Sequence, residues 1–199
     1  MNGKFFDLKK EKQDRMINAA MKIFALQGYR HASTDDIVKE AGISKGLLFH
    51  YFGSKIGVYK FIFDYSVRFM NLELRTYVDS REKNLVEIIR QIECARMHVL
   101  KGYPYMQEFL NRSEVEDCEE ALAIIEEKKT ALQETYRTVY GQIDYALLPS
   151  RVDGRKIQKM LELSIKGLMG EKFRDPSYDP ETFYEEVCEY LDMMKTLLA

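Results

Sequence analysis

The sequence contains few cysteines and few prolines. Three cysteines, Cys94, Cys118 and Cys188, lie far apart in the 199 residues. An odd number at this spacing fits reduced thiols in a cytoplasm and argues against a disulfide framework. Only four prolines occur, so most of the chain is free to form long helices, which proline interrupts. Strand-like alternation of apolar and polar residues is absent as well, and the predicted fold class is therefore all-α.

Long apolar segments are also lacking. The longest uncharged apolar runs fall well short of the roughly 20 residues that a membrane-spanning helix requires. No charged stub followed by an apolar block opens the chain, so we expect neither a membrane contact nor a signal peptide. With 46% hydrophobic and 31% charged residues, the composition is ordinary for a folded soluble protein. We expect a cytoplasmic protein.

The sequence motifs of common enzymes are missing too. There is no GxxxxGK[ST], no HExxH and no paired CxxC. The segment GISKG at 42–46 has the spacing GxSxG, but a predicted helix precedes it, whereas a nucleophile elbow follows a strand. The usual nucleophile, phosphate and metal sites are therefore not indicated. Cys94 and His98 are four residues apart on a predicted helix, which permits two metal ligands but supplies no third. We therefore expect no catalytic residue, no metal site and no cofactor, and a protein that is not an enzyme.

What the sequence does contain is an uneven distribution of charge. Residues 1–55 hold ten Lys and Arg against six Asp and Glu, a formal charge of +4, and the rest of the chain carries −6. Opposite charge in two parts of one chain indicates two functions. The basic part is the candidate for binding a polyanion.

Three helices are predicted in this basic part. An apolar face with a period of 3.6 residues runs from about Leu8 to Leu26 and stops at Gly28. Two helices of about two turns follow, the first between the N-cap Ser33 and Gly42, the second from the N-cap Ser44 to Gly53. Asp36, three residues after Ser33, is close to a capping box. A longer helix followed by two short ones across a glycine turn is the arrangement of a helix-turn-helix.

The outward side of the third helix is predicted to carry Lys45, Gly46, Leu47, His50 and Tyr51. Gly46 keeps the first turn slim enough to press against a groove of DNA. Leu47 is placed to meet a thymine methyl group, while Lys45 and His50 can donate to base edges or phosphates. Aromatic residues at helical spacing are usually core and lysines are usually solvated, but the ordered spacing of caps, glycine and aromatics favours DNA contact.

The segment "STDDIVKEAGISKGLLFHYFGSK" resembles the N-terminal motif of the TetR (tetracycline-repressor) family of bacterial transcription regulators, over about residues 10–60. The resemblance implies an all-α homodimer of about nine helices. It implies a three-helix helix-turn-helix DNA-binding domain at 1–53 and a helical ligand-binding and dimerisation domain at 54–199. It also implies phosphate contacts by Ser33, Thr34, Ser44, Tyr51 and Lys55. The residues implied to lie against the floor of the major groove are Lys45, Gly46, Leu47 and His50.

Two positions depart from the family's pattern. Phe49 stands where the family usually has tyrosine, so we expect a hydroxyl contact to the DNA backbone to be lost. Ile56 and Gly57 replace the usual acidic and small residues, and we expect them to loosen the first turn of the next helix.

The remainder of the chain is predicted to form longer helices. Apolar periodicity places them at about 54–79, from Leu85 to near Gly102, briefly from Pro104, and from about Glu114 to Leu147. Two more are expected at about 154–170 and 180–198, the last with Asp179 as cap and Pro180 in its first position.

The last two helices have apolar faces wide enough for two neighbours. Intramolecular packing alone explains such faces, whereas the family resemblance favours a two-fold interface in which two chains form a four-helix bundle. The predicted interface residues are Ile157, Leu161, Ile165, Leu168, Phe183, Val187, Leu191 and Met194.

A ligand chamber is predicted between the helices of this larger part. Tyrosine and methionine provide adaptable apolar walls with occasional polar groups, which suits small organic ligands. Any one of these residues, taken singly, is better explained as plain core than as a ligand contact. The candidates are Tyr65, Phe69, Met97, Tyr103, Tyr105, Met106, Phe109, Tyr136, Tyr140 and Met169.

Two functions remain open from the sequence. The first is a sequence-specific DNA-binding transcriptional regulator, a repressor released from a palindromic double-stranded operator by an unknown small-molecule effector. The alternative is a helical dimeric protein-interaction module whose first three helices do not bind DNA. The positive charge of residues 1–55 and their polar recognition surface favour the regulator.

Overall fold

The computed structural model describes residues 3–173 and 177–198, and within these ranges it is all-α, which confirms the predicted fold class. Nine α-helices and two 3-10 helices occur in the described part, and no strand does. The 3-10 helices span Gly3–Asp7 and Tyr145–Leu147. The α-helices are α1 (Lys10–His31), α2 (Thr34–Ala41), α3 (Lys45–Phe52), α4 (Lys55–Tyr77), α5 (Leu85–Gly102), α6 (Met106–Glu114), α7 (Glu119–Tyr140), α8 (Gly154–Lys172) and α9 (Pro180–Leu198).

The residues group into two compact units. The first contains the chain up to Asn71 together with Gly102–Gln133, and the second contains Leu72–Lys101 together with the chain from Glu134 onward. Helices α4 and α7 therefore each contribute residues to both units. The domain boundary predicted between residues 53 and 54 stays a prediction.

Helix α1 changes direction at the glycine where its apolar periodicity stops. Gly28 has φ 70°, a left-handed conformation that side chains rarely adopt, and one further turn carries the helix to His31. The space beside Gly28 is occupied, since an added Cβ would lie 3.2 Å from Nε of Arg112 on α6. The glycine thus both ends the regular helix and lets α6 approach.

Helix α7 is shorter than its apolar periodicity predicts. The Glu116 carboxylate accepts hydrogen bonds from the backbone N–H groups of Asp117 and Cys118, at 3.2 and 3.1 Å, and holds the segment before Glu119 as a turn. At the other end the Asp144 carboxylate accepts from the N–H of Ala146 at 3.0 Å and begins a separate 3-10 helix. Such local side-chain bonds compete with helix formation, so the predicted span from Glu114 to Leu147 was wrong at both ends.

The second unit is built around α5 and α9. Val187 and Leu191 on α9 are fully buried, as are Ile88 and Ile92 on α5. Arg90 of α5 donates to Asp192 of α9 at 2.6 Å and connects the two helices. Helix α9 begins as predicted, because the Asp179 carboxylate accepts from the N–H of Thr182 at 2.8 Å.

Candidate nucleic-acid interface

Helices α2 and α3 are capped by their serines and joined by a left-handed glycine. The Ser33 hydroxyl accepts a hydrogen bond from the N–H of Asp35 at 3.1 Å, whereas a capping box would use the N–H of Asp36. The Ser44 hydroxyl accepts from the N–H of Leu47 at 3.2 Å. Gly42 between the helices has φ 61° and ψ 44°, which ends α2 and turns the chain into α3. The predicted helix-turn-helix is therefore present, with two helices of eight residues each.

The two short helices share one apolar side with α1. Ile37 and Ala41 of α2, Leu48 and Phe52 of α3, and Phe24 of α1 are all buried. Helix α3 consequently has a defined solvent side, on which Ser44, Lys45, Gly46 and His50 are exposed and Leu47 is half-buried. At the start of α2, Ser33 and Thr34 are half-buried.

Gly46 leaves open space on this solvent side. A Cβ added there would have no atom of the chain within 4 Å, and Gly46 lies inside α3 without a left-handed φ. The packing of the chain itself therefore does not require glycine at this position. The open space is available to whatever approaches the first turn of α3.

Lys45 is engaged in an ion pair that the sequence did not indicate. Its Nζ lies 2.9 and 3.0 Å from the two carboxylate oxygens of Asp35 in the first turn of α2. Both side chains are exposed, so the pair contributes only about 0–1 kcal/mol and is exchangeable. To contact DNA, Lys45 must exchange the Asp35 carboxylate for a base or a phosphate.

Tyr51 is buried, and the expectation that its ring faces outward is wrong. It is 8% exposed, and its ring packs edge-on against Phe5 with 5.6 Å between centroids. Phe5 also contacts Phe52 and Phe61, at 5.2 and 5.1 Å, and is fully buried. The 3-10 helix that carries Phe5 therefore supports the last turn of α3. Whether Tyr51 contacts a phosphate stays a prediction.

Lys55, the first residue of α4, is held by the end of α1. Its Nζ donates to the backbone oxygen of Arg30 at 3.2 Å and lies 4.5 Å from the centroid of the Tyr29 ring, a cation–π contact. Tyr29 is in turn attached to the region before and at the start of α7. Its N–H donates to Glu116 and its hydroxyl donates to Glu120, both at 3.0 Å. Burial and the Glu120 carboxylate raise the pKa of Tyr29, so the hydroxyl remains a donor.

The first turn of α4 is not loosened by its unusual residues. The Ser54 hydroxyl accepts from the N–H of Gly57 at 3.1 Å and caps the helix. A Cβ at Gly57 would overlap the carbonyl oxygen of Phe52. Glycine is thus required by the close approach of α3 and α4, and the expected loosening at Ile56 and Gly57 was wrong.

The predicted chamber residues fall in both units, and their ligand contacts stay predictions. In the first unit, the ring of Tyr103 packs edge-on against Tyr65 and Phe69, with centroids 5.4 and 5.0 Å apart. Also in the first unit, Tyr105 is half-buried while Met106 and Phe109 are buried. The remaining four, in the second unit, are Met97, Tyr136, Tyr140 and Met169.

The predicted interface residues divide into two groups. Ile157, Leu168 and Met194 are half-buried, whereas the buried members of the set are Leu161, Ile165, Phe183, Val187 and Leu191. The buried ones pack within the second unit of a single chain. Other large apolar side chains on α8 and α9 face solvent, and these are Met160, Leu163, Tyr190, Met193 and Leu197. The interface itself stays a prediction.

Metal ligands and membrane-spanning helices are not found in the described part of the chain. Among residues 3–173 and 177–198, no three His, Cys, Asp or Glu side chains form a group able to hold a metal ion. Within the same residues, every helix is too short or too polar to cross a bilayer. His98, considered above with Cys94, instead stacks on the Tyr77 ring with centroids 4.2 Å apart.

Residues 16–60, which include both short helices, match the family described as bacterial regulatory proteins, tetR family. Over these residues the chain is similar to the TetR family. Solved TetR-family structures share its fold beyond the matched residues. A TetR-family regulator from Chloroflexus aurantiacus superposes with a TM-score of 0.64 over 99% of this chain and 95% of that one. Sequence identity there is 18%, so this likeness concerns the fold alone.

Curated relatives of this chain are named as transcriptional regulators. The negative regulator IcaR of Staphylococcus aureus is 34% identical over 96 residues, covering 44% of this chain and 52% of IcaR. The activator FasR of Mycolicibacterium smegmatis is 32% identical over 77 residues, covering 37% of this chain and 35% of FasR. The chain thus spans about a third to a half of the length of these relatives.

Proposed function

We propose that this chain is a TetR-family protein, a sequence-specific DNA-binding transcriptional regulator and not an enzyme. The solvent side of α3 is the observation that carries the proposal. Gly46 has open space above it, and exposed Lys45 and His50 with half-buried Leu47 surround that space. A slim first turn with an apolar contact and two donors suits the floor of a major groove, where methyl groups and hydrogen-bonding edges distinguish the bases.

Phosphate contacts orient this helix without providing base information. Ser44 at the N-terminus of α3 and Lys55 at the N-terminus of α4 are the proposed contacts nearest the groove, supported by Ser33 and Thr34 at α2. Lys55 is suited to this role because Arg30 and Tyr29 already hold its ammonium group in place. Less side-chain freedom is therefore lost when it meets a phosphate.

The regulator acts as a homodimer on a palindromic operator. One α3 recognises a single half-site, and two copies related by a two-fold axis align with half-sites about 34–36 Å apart. The solvent-facing apolar residues of α8 and α9, such as Met193 at 55% exposed, support a helical interface between two chains.

The proposed regulation is repression relieved by a small organic effector. The effector lowers operator affinity only if it binds better to a conformation in which the two α3 helices misfit the operator. Helix α4 begins at Lys55 and continues into residues of the second unit, so it is one route for this coupling. IcaR is named a negative regulator and FasR an activator, so a reporter gene behind the operator must establish the sign.

Selection from a random DNA pool tests the proposal. We expect the unmodified protein to enrich a palindrome, and the Leu47→Ala variant to relax preference at one base pair in each half-site at a cost of about 1 kcal/mol. If no palindrome is enriched and no DNA is bound at low salt, the regulator is excluded. The helical protein-interaction module then becomes the better description.

A further inference from the structure

The interior of the second unit contains an ion pair on one turn of α5. Glu93 is 4% exposed, and its carboxylate pairs with the guanidinium group of Arg96, whose side chain is 21% exposed. Removing two charges from water is expensive, and apolar residues of similar size often serve stability equally well. Stability of the fold alone therefore does not explain why this charged pair is buried.

Each partner of this pair has a buried polar atom that no described residue satisfies. Among residues 3–173 and 177–198, Oε2 of Glu93 accepts no hydrogen bond and Nε of Arg96 donates none. An unsatisfied buried acceptor and an unsatisfied buried donor each cost free energy. A molecule that offers one donor and one acceptor would remove both costs together.

Aromatic rings adjoin the guanidinium group of Arg96. The guanidinium carbon of Arg96 lies 5.5 Å from the centroid of the Tyr136 ring, and Tyr136 stacks on Tyr140 with centroids 6.3 Å apart. Burial raises the pKa of Tyr140, and burial likewise raises the pKa of Tyr178, on which Glu93 also acts. These phenols are neutral at physiological pH, so they add no charge beside the pair.

We propose that Glu93 and Arg96 form the polar end of the effector site, and that the effector is an uncharged planar compound bearing a carboxamide-like group. Its N–H donates to Oε2 of Glu93, and its carbonyl oxygen accepts from Nε of Arg96. An anion would be repelled by Glu93 and a cation by Arg96, whereas a neutral amide meets both without adding charge. The proposal rests on the proposed function, because it assigns the chemistry of the effector.

Benzamide is the probe for this site, with benzoate and benzamidine as its anionic and cationic counterparts. Titration of the full chain, followed by protein NMR shifts at millimolar probe concentrations, should show benzamide binding at least about tenfold more tightly than either ion. Tighter binding of benzoate or benzamidine, or no binding of benzamide, would overturn the proposal.

Two variants and a control connect this binding to the pair. Glu93→Met with Arg96→Met removes both charges, should fold, and should lose benzamide binding. Glu93→Gln leaves Arg96 as the only charge and should reverse the preference from benzamide to benzoate. The control is Glu134→Met with Arg137→Met, an exposed pair at the same spacing on α7, and should bind benzamide normally. Benzamide binding that survives in the double Glu93/Arg96 variant, or a Glu93→Gln variant that still prefers benzamide, contradicts the assignment.

DNA binding is measured separately so that the two proposals fail separately. If the protein binds an operator but not benzamide, the amide site is contradicted and the proposed regulator is not. If the protein binds no DNA but binds benzamide, and the double variant loses that binding, the regulator is contradicted and the amide site is supported.

Discussion

The ammonium group of Lys55 lies 4.5 Å from the centre of the Tyr29 ring, and the Tyr29 hydroxyl donates to Glu120 at 3.0 Å. The proposed phosphate contact is thus connected, through one ring, to the first turn of α7. The same helix continues into the second unit, where it carries Tyr136 and Tyr140. The ring that holds Lys55 and the guanidinium group of the proposed effector site therefore each contact a residue of α7, which is a candidate route for regulation.

Gly46→Ala should separate stability from DNA binding. Added Cβ atoms meet nothing within 4 Å at Gly46, and alanine favours a helix interior over glycine by about 0.5–1 kcal/mol. We expect higher resistance to urea but at least about tenfold weaker operator binding, since the new methyl group occupies the space proposed for DNA.

The control is Gly102→Ala at the end of α5, outside α8 and α9, where an added Cβ also meets nothing within 4 Å. It should not destabilise the fold and should leave operator affinity unchanged. An unaltered affinity in Gly46→Ala would mean that the first turn of α3 does not enter a groove.

The structure shows which parts of this site a sequence can reveal. Ser33, Ser44 and Gly42 act on backbone groups within a few residues, so their spacing alone predicted α2, the turn and α3. The outward direction of Lys45, Gly46 and His50 followed from the same helical period. Local chemistry was sufficient for this half of the site.

Contacts between distant residues were not predictable in the same way. Phe5 is buried against Tyr51 although no periodic pattern includes it, and the only indication in the sequence is the Phe5–Phe6 pair ahead of α1. The contact of Lys55 with Tyr29 depends on how the end of α1 meets the start of α4. Such pairings are set by tertiary packing, which a helical period does not encode.

Lys55→Ala should weaken binding to all DNA sequences about equally. A phosphate contact contributes about 0.9 to the slope of log affinity against log salt, so a dimer that loses two contacts should lose about 1.8. Titrations at several salt concentrations measure this slope. Lys60→Ala, an exposed lysine of α4, is the control for charge. A change confined to one operator base pair would assign Lys55 to base recognition instead.

Met193→Glu should convert the proposed dimer to a folded monomer. Met193 is 55% exposed in the single chain, so a carboxylate there costs little until a partner covers it. Light scattering at micromolar concentration should show half the mass, and operator affinity should fall with it. Leu147→Glu, at an exposed apolar residue outside α8 and α9, should remain dimeric. An unmodified protein that is already monomeric contradicts the interface.

Leu191→Glu should behave differently because Leu191 is fully buried within the second unit. A carboxylate there is buried without a partner and should cost about 3 kcal/mol or more. Loss of folding, seen by circular dichroism, distinguishes this core position from the surface position Met193.

Glu87 should make stability depend on pH in the acid range. The hydrogen bond from Lys195, at 2.8 Å, and the nearby Arg90 hold the pKa of Glu87 below its ordinary value of 4.5. A carboxyl group whose pKa is lowered by folding contributes its full stabilisation of the folded state at a pH above its unfolded-state pKa. This stabilisation is lost as the pH falls through the pKa of the folded state. Because the pair is partly exposed, we expect less than about 1 kcal/mol. The free energy of unfolding of Glu87→Gln, measured with urea, should approach that of the unmodified protein as the pH falls below 4.5. If the two free energies differ by the same amount at every pH, the ion pair of Glu87 is not the cause of the difference.

Tyr29→Phe tests whether α7 carries the regulatory signal. The substitution keeps the ring beneath Lys55 and removes only the hydroxyl that donates to Glu120. Operator affinity without ligand should therefore stay close to that of the unmodified protein. Saturating benzamide should lower the operator affinity of Tyr29→Phe by a smaller factor than it lowers that of the unmodified protein. Tyr29→Ala removes the ring as well and should weaken operator binding even without ligand. Fluorescence anisotropy of a labelled operator, with and without benzamide, measures both effects. If Tyr29→Phe responds to benzamide as fully as the unmodified protein does, the signal reaches the DNA contacts by another route, and α4, which begins at Lys55 itself, becomes the helix to test.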